Sequence, residues 1–353
     1  MIRARSAESA WWRQQHAVAE LLESFSEPVR LGVLEALDGG ETCPFGDLLQ
    51  DYPRRGGKGL RPTLLIAAAR VYGGDLDDAL PAAVALEILH TAQLVHDDIE
   101  DQSLERRGGP AMHRQHGIPI AVCAGDALAF RSLRPLLDSR RLLGDRTTLR
   151  LFEEAGRMMN ELVAGQALEL GWRDENIFAL QEEDYLEMVL KKTCWLSTIF
   201  PLRAGALIGS RGTVDLEPLI RFGFFLGAAF QIQDDLLNLV GDSEHYGKEI
   251  DGDLWEGKWT LMLIRLFNQS DVEQRERLEA IFALRRSERR TEDLVWVRRR
   301  LEETGCLEYA RDFAHGLAGS ALAEFQRIWG RFPPSKELEM IEGLVHWVLG
   351  RAR

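Results

Sequence analysis

Two short stretches carry the residues whose types and spacing could do chemistry. The first is His90-Thr91-Ala92-Gln93-Leu94-Val95-His96-Asp97-Asp98-Ile99-Glu100-Asp101. Wound as a helix, it puts Asp97 and Asp101 on one face with Asp98 beside them, and His90 and Leu94 continue that stripe. The second is Gln231-Ile232-Gln233-Asp234-Asp235-Leu236-Leu237-Asn238. Carboxylates this close repel one another, so at the end of an apolar helix they need counter-charge. Two such stripes aimed at each other would form a cage of hard oxygen donors. Mg²⁺ bridging to substrate phosphates suits that cage best, because it prefers carboxylate oxygen and keeps water or phosphate as its other ligands.

An acidic triple alone also occurs on solvated helix faces. Against that reading, Ile88, Leu89, Leu94 and Val95 make this stretch the continuation of a buried stripe. Downstream stand Arg106 and Arg107, whose guanidinium forks suit phosphate oxygens. Upstream, Gly56-Gly57-Lys58-Gly59-Leu60-Arg61-Pro62 opens a helix and joins free backbone N–H groups to two cations. It lacks P-loop spacing, and a helix-start turn with two solvated cations is an equal reading. Lys192 lies in an apolar helix and needs an anionic partner, and Lys248 and Lys258 follow the second acidic stretch. Two diphosphates of about −3 each, ~6 Å apart at an effective dielectric of ~20, repel by about 25 kcal/mol. Bringing them together takes metal ions and fixed cations. Lys58, Arg61, Arg106, Arg107, Lys192, Lys248 and Lys258 are that inventory.

The elements that must position these residues are helices. Helical periodicity is predicted over residues 7–38, from 61–62 to the Gly73-Gly74 stop, and over 79–102, 120–137, 147–171, 182–209, 215–240 and 257–268. It continues over 271–287, 290–303, 306–329 and 336–351, while 39–57 and 103–119 are expected to be connections. No strand-like alternation, repeat or linker stands out. The expectation is therefore an all-α, single-domain helical bundle of about ten or more helices around a central cavity. The chain has 353 residues and a net charge of −13, which argues against nucleic acid as a partner. Cys43, Cys123, Cys194 and Cys306 have neither disulfide nor zinc spacing. No apolar run reaches the ~20 residues of a membrane span, and Trp11, Trp12, Arg13 and Gln14 occupy the place of a signal peptide's apolar region, so a cytoplasmic protein is expected.

The ordered motifs resemble the trans-isoprenyl diphosphate synthase (polyprenyl synthetase) family. They are Gly57-Lys58-x-x-Arg61-Pro62, Glu87 to His90 running into Asp97-Asp98-x-x-Asp101, Arg106-Arg107-Gly108-x-Pro110-x-x-His113, Ala124-Gly125-Asp126 and Gly165-Gln166. Lys192-Thr193, Gly227-x-x-Phe230-Gln231-Ile232-x-Asp234-Asp235, Gly247-Lys248 and Asp253 to Leu261 complete the set. The resemblance implies the isoprenoid synthase fold, with residues 1–38 a helical extension packed on one domain spanning 1–353. It implies about three Mg²⁺ ions, two on Asp97 and Asp101 and a third on Asp234, with Asp98 and Asp235 supporting. It implies an allylic diphosphate held by the metals, Arg106, Lys192, Lys248 and Lys258, and isopentenyl diphosphate held by Lys58, Arg61, His90 and Arg107. Thr193 and Gln231 would sit near the cation left by the departing diphosphate, and a homodimer is expected. His96, His113 and Gln166 are read as supporting or structural.

Three features depart from the pattern or tune it. Gly59 stands where the family often has Arg, and Asn238 where the second cluster has its third aspartate. The fourth and fifth residues before Asp97 cap the product's pocket in the family; here they are Gln93 and Ala92. Alanine predicts room for a geranylgeranyl (C20) product, with Leu89, Ile88, Met158, Met159 or Phe130 as deeper plugs. Farnesyl and longer products stay open, as do two other readings, a class I terpene cyclase and an inactive partner subunit. The cyclase would have no use for the Lys58, Arg61 and Arg107 set.

Overall fold

The first long helix, α1 (Ile2–Leu37), runs unbroken through Pro28 and lies against the last one, Lys336–Gly350. The structure, a computed structural model, describes residues 2–38, 46–240 and 251–350, with side chains from residue 13 onward. After α1 come α2 (Gly46–Arg54), α3 (Leu60–Val71) and α4 (Leu76–Glu100). Asp75 and Asp78 form a reciprocal capping box that starts α4. Small buried residues on α4, Ala79, Ala82, Ala83 and Ala85, let it pack closely against its neighbours, foremost α6 (Ile118–Asp138).

Between α4 and α6 the sequence predicts a plain loop. Instead it holds a two-stranded ribbon, Glu105–Arg106 against Gly109–Pro110, and the short α5 (Met112–His116). Arg107 and Gly108 both have positive φ, 51° and 73°, the conformation a two-residue hairpin turn demands.

α7 (Arg140–Asp174) breaks at Gly144 and then runs straight. The predicted helix 182–209 is three coils in series: α8 (Glu182–Val189), a π-helical stretch (Leu190–Ile199) and α9 (Phe200–Gly209). α10 (Pro218–Val240) follows, and its Phe222 stacks edge-on against Trp329 of the helix Cys306–Trp329, ring centroids 5.1 Å apart. Shorter helices, Gly252–Glu256, Leu261–Gln269, Val272–Phe282 and Thr291–Glu303, close the far side. One contiguous apolar core runs from Ala17 to Val348. The all-α expectation holds.

Candidate active site

Asp97 of α4 and Asp234 of α10 line one cavity of about 200 Å³. Its walls come from the C-terminal halves of α4, α7 and α10, the π-helical stretch and the segment 253–260. Arg61 at the start of α3 and Arg106 of the ribbon complete them. The two acidic stretches thus converge, as the sequence requires.

Each aspartate of the first cluster meets fixed cations. Asp97 lies 3.5 Å from Lys192 Nζ and 3.6 Å from an Arg106 nitrogen. Asp98 is fully buried and turned away: Tyr52 Oη donates to it at 2.6 Å and Arg106 Nε at 2.8 Å. Tyr52 Oη in turn accepts from the Met112 backbone N–H at 2.8 Å, so Asp98 anchors the ribbon to α4 and α2. Asp101 caps α4, with Lys258 Nζ 2.6 Å from Oδ2 and Arg173 Nη1 donating to Oδ1 at 2.9 Å. Burial disfavours the charge of Asp101, but Lys258, Lys192 and Arg173 together hold its carboxyl below the usual range.

The second cluster meets dipoles. Tyr185 Oη donates to Asp235 Oδ2 and Gln231 Nε2 to Oδ1, both at 2.7 Å. Thr193 Oγ1 donates to Gln231 Oε1 at 2.8 Å, completing a relay from the π-helical stretch to α10. Burial, with Asp253 close by, pushes Asp235 up to about 8. Asn238 is buried outside the cavity lining, and its Oδ1 accepts from the Asp253 N–H at 3.0 Å. The residue that departs from the family pattern thus fastens the following segment to α10.

Two motif glycines are explained by contact. A Cβ at Gly165 would fall 2.3 Å from the Lys192 backbone nitrogen, so the missing side chain is what lets α7 and the π-helical stretch come this close. Lys192 then reaches Glu169 of α7 and Asp97 of α4; burial disfavours its charge, but these carboxylates raise its pKa overall. A Cβ at Gly125 would meet His96 Nε2, which pairs with Asp126 at 3.4 Å. His96 thus packs between α4 and α6, outside the cavity lining.

The cations predicted for a second diphosphate divide into two groups. Arg61 and His90 line the main cavity; Arg61 is half-buried and its Nε has no hydrogen-bond partner. Burial and Arg61 depress His90 to about 4, against the pull of Glu87 3.5 Å away. Arg107 lines a neighbouring hollow of about 190 Å³ together with Gly57 and Gly59, donating to the Tyr52 carbonyl at 3.0 Å. Lys58 stands over the Trp347 ring, 5.8 Å from its centroid. Lys248 lies outside the described residues.

Gln93 lines the cavity, while Ala92 is fully buried and does not. The apolar end is made by Leu94, Leu162, Met188, Leu196 and Phe230. None of the predicted deeper plugs lines it, and Phe130 is 75% exposed on the outside of α6, too far out to plug its own chain's pocket. Sequence reasoning missed Tyr52, Glu169, Arg173 and Tyr185. Of these, Glu169 alone left a trace, lying three residues after Gln166 on the helix that carries Gly165.

Among the described residues, no group of three His, Cys, Asp or Glu side chains could hold a metal ion by itself. Carboxylate oxygens on facing walls, buried cations between them and no histidine or thiol cluster fit Mg²⁺ bound jointly with phosphate rather than a closed protein cage.

A family model described as Polyprenyl synthetase matches residues 44–297. A geranylgeranyl diphosphate synthase of Saccharolobus solfataricus is 33% identical over 77% of this chain and 80% of the relative. A short chain isoprenyl diphosphate synthase of Methanothermobacter thermautotrophicus is 37% identical over 64% of this chain and 68% of its own. The solved geranylgeranyl pyrophosphate synthetase of Pyrococcus horikoshii superposes with a TM-score of 0.83 at 29% identity, covering 95% of this chain and 98% of that one. With its acidic clusters facing one cavity and its motifs in order, the chain belongs to the polyprenyl synthetase family of trans-isoprenyl diphosphate synthases.

Proposed function

We propose that this prenyltransferase condenses isopentenyl diphosphate with an allylic diphosphate and releases geranylgeranyl diphosphate (C20). The observation that carries the reading is the meeting of Asp97 and Asp234 in one cavity with Lys192, Arg106 and Arg61. Asp97, Asp101 and Asp234 would hold about three Mg²⁺ ions. Bound there, Mg²⁺ supplies Lewis-acid assistance to a departing diphosphate. Asp98 and Asp235 are supports, fixed by Tyr52 and Arg106 and by Tyr185 and Gln231.

Lys192 and Lys258 turn from their carboxylate partners toward the allylic diphosphate, Arg106 meets it from its seat on Asp98, and Lys248 is assigned to the same diphosphate. Arg61, whose Nε has no partner, binds isopentenyl diphosphate with Lys58, His90 and Arg107. The allylic C–O bond breaks and leaves a cation. The isopentenyl double bond attacks it, and the departed diphosphate takes the proton. Thr193 and Gln231 present oxygen dipoles to the cation. Leu94, Leu162, Leu196 and Phe230 keep water from it.

Three relatives named geranylgeranyl diphosphate synthase, at 33–38% identity, favour the C20 product over the geranylfarnesyl and octaprenyl synthases at 31% and 30%. Incubation with Mg²⁺, isopentenyl diphosphate and dimethylallyl, geranyl or farnesyl diphosphate, followed by sizing of products, tests all of this. A C20 product is expected; no consumption of isopentenyl diphosphate overturns it. Ala92→Phe is expected to shorten the main product by about one isoprene unit, and unchanged length would overturn the assigned role of Ala92 and Gln93. The enzyme works as one domain, in the cytoplasm. Ile118, Val122, Phe130, Leu133 and Leu137, exposed along one face of α6, favour a homodimer. No described helix is long and apolar enough to cross a membrane.

A further inference from the structure

The end of α4 is tied to the Lys258 segment by a residue outside every motif above. Arg173, in the last turn of α7, is largely buried. Its Nη1 donates to Asp101 Oδ1 at 2.9 Å and to the Glu256 carbonyl at 3.3 Å. Lys258 takes the other carboxylate oxygen at 2.6 Å and also meets Glu256 Oε2 at 2.7 Å. Asp101 therefore carries one cation on each oxygen, and the two holds are not equivalent. Lys258 lines the cavity on a flexible stem and can swing to an incoming phosphate. Arg173 does not line the cavity, so no incoming phosphate competes there for its nitrogen. Of the two cations, Lys258 on Oδ2 is therefore the one within reach of a phosphate in the cavity.

We propose that Arg173 is a positioning residue that makes Asp101 a one-oxygen ligand. It holds Oδ1 so that Oδ2 faces the ion, and through the Glu256 carbonyl it holds the segment that delivers Lys258 to the same phosphate. Arg289 grips the Leu254 and Trp255 carbonyls from the other side, so the segment is clamped between two guanidinium groups. The proposal rests on the reading of Asp101 as a Mg²⁺-holding carboxylate. It goes beyond that reading in assigning the ion's access to one oxygen and naming the residue that enforces it.

The test compares the full-length chain with Arg173→Met, Arg173→Lys and Asp101→Asn. Mg²⁺ is titrated calorimetrically in the presence of inorganic pyrophosphate, and the KM for each substrate is measured. Arg173→Met is expected to weaken Mg²⁺ binding about tenfold. It should raise the KM for the allylic diphosphate by a similar factor and leave that for isopentenyl diphosphate within about twofold. Arg173→Lys, which keeps a donor and the charge, should recover most of the loss. Unchanged Mg²⁺ binding in folded Arg173→Met, or an equal rise in both KM values, overturns the assignment. Asp101→Asn separates the two possible failures. If it leaves Mg²⁺ binding intact, the reading of Asp101 is wrong; if it weakens binding while Arg173→Met does not, only the role of Arg173 is wrong. Should Arg173→Met not fold by circular dichroism, Arg173→Gln takes its place with the same outcomes.

Discussion

The two acidic clusters share a motif and differ in electrostatics. At the end of α4, every aspartate has a fixed cation: Arg106 and Lys192 for Asp97, Arg106 for Asp98, Arg173 and Lys258 for Asp101. On α10, Asp235 meets a phenol and an amide instead, and burial leaves it half-protonated near pH 8. The first cluster is thus poised for exchange, since cations that hold its carboxylates can move to phosphate when ions take their place. At Asp235 the described residues supply no such cation; the hydrogen bonds from Tyr185 and Gln231 favour its charge but do not offset burial, and an arriving ion would add to them. Asp98 and Asp235, the same residue type at matching places in the two motifs, meet different partners because of what packs behind them.

The comparison breaks most visibly at Asp97. Asp97→Ala should lower turnover by on the order of 10³-fold or more, and near-normal activity would refute the assignment of the first cluster. The next test sets one supporting pair against the other. Arg106→Met strips the buried Asp98 of its counter-charge and should cost about 3–5 kcal/mol, read as a fall in Tm of about 10 °C. Asp235→Asn removes a group that its surroundings hold uncharged, so at pH 4 the stability of the metal-free protein should change by less than ~1 kcal/mol. Equal losses in the two variants would erase the distinction drawn here.

A smaller effect sharpens it by sign. Asp101 has a lowered pKa, so its contribution to stability is present above the ordinary carboxylate range near 4 and is lost as pH falls through its folded value. Asp235 has a raised one, so its contribution is full below about 4 and is lost as pH rises through about 8. In EDTA, Asp235→Asn should therefore flatten the decline in Tm between pH 4 and 8. A decline of unchanged slope counts against the protonated state of Asp235.

What the sequence disclosed follows from how each signal is written. Carboxylate spacing on apolar helices is local, so Asp97 and Asp234 could be paired before any coordinates. Arg61 announced itself through the glycines before it and the proline after. Tyr52 and Tyr185 could not, because an aromatic at a core position reads as apolar and its hydroxyl's destination lies 46 or 50 residues away. Arg173 and Glu169 are single charges on a helix whose exposed face is full of charges; only the chain's return shows which are inside. The ribbon at 105–110 escaped because two residues per strand make no alternation. Lys192 and Thr193 read as helical from the periodicity, but nothing in residue type distinguishes a π coil from an α coil.

That coil sets a rule for how this enzyme can be altered. Leu190–Ile199 holds its three cavity-lining polar residues, Lys192, Thr193 and Ser197, in the register of a wider winding. Removing one residue there would tighten the spiral and turn the following side chains by about 100°. Substitutions in this stretch grade activity, whereas insertions or deletions act as frameshifts in space. Variant libraries built on this chain should fix the length between Val189 and Phe200 and vary only composition.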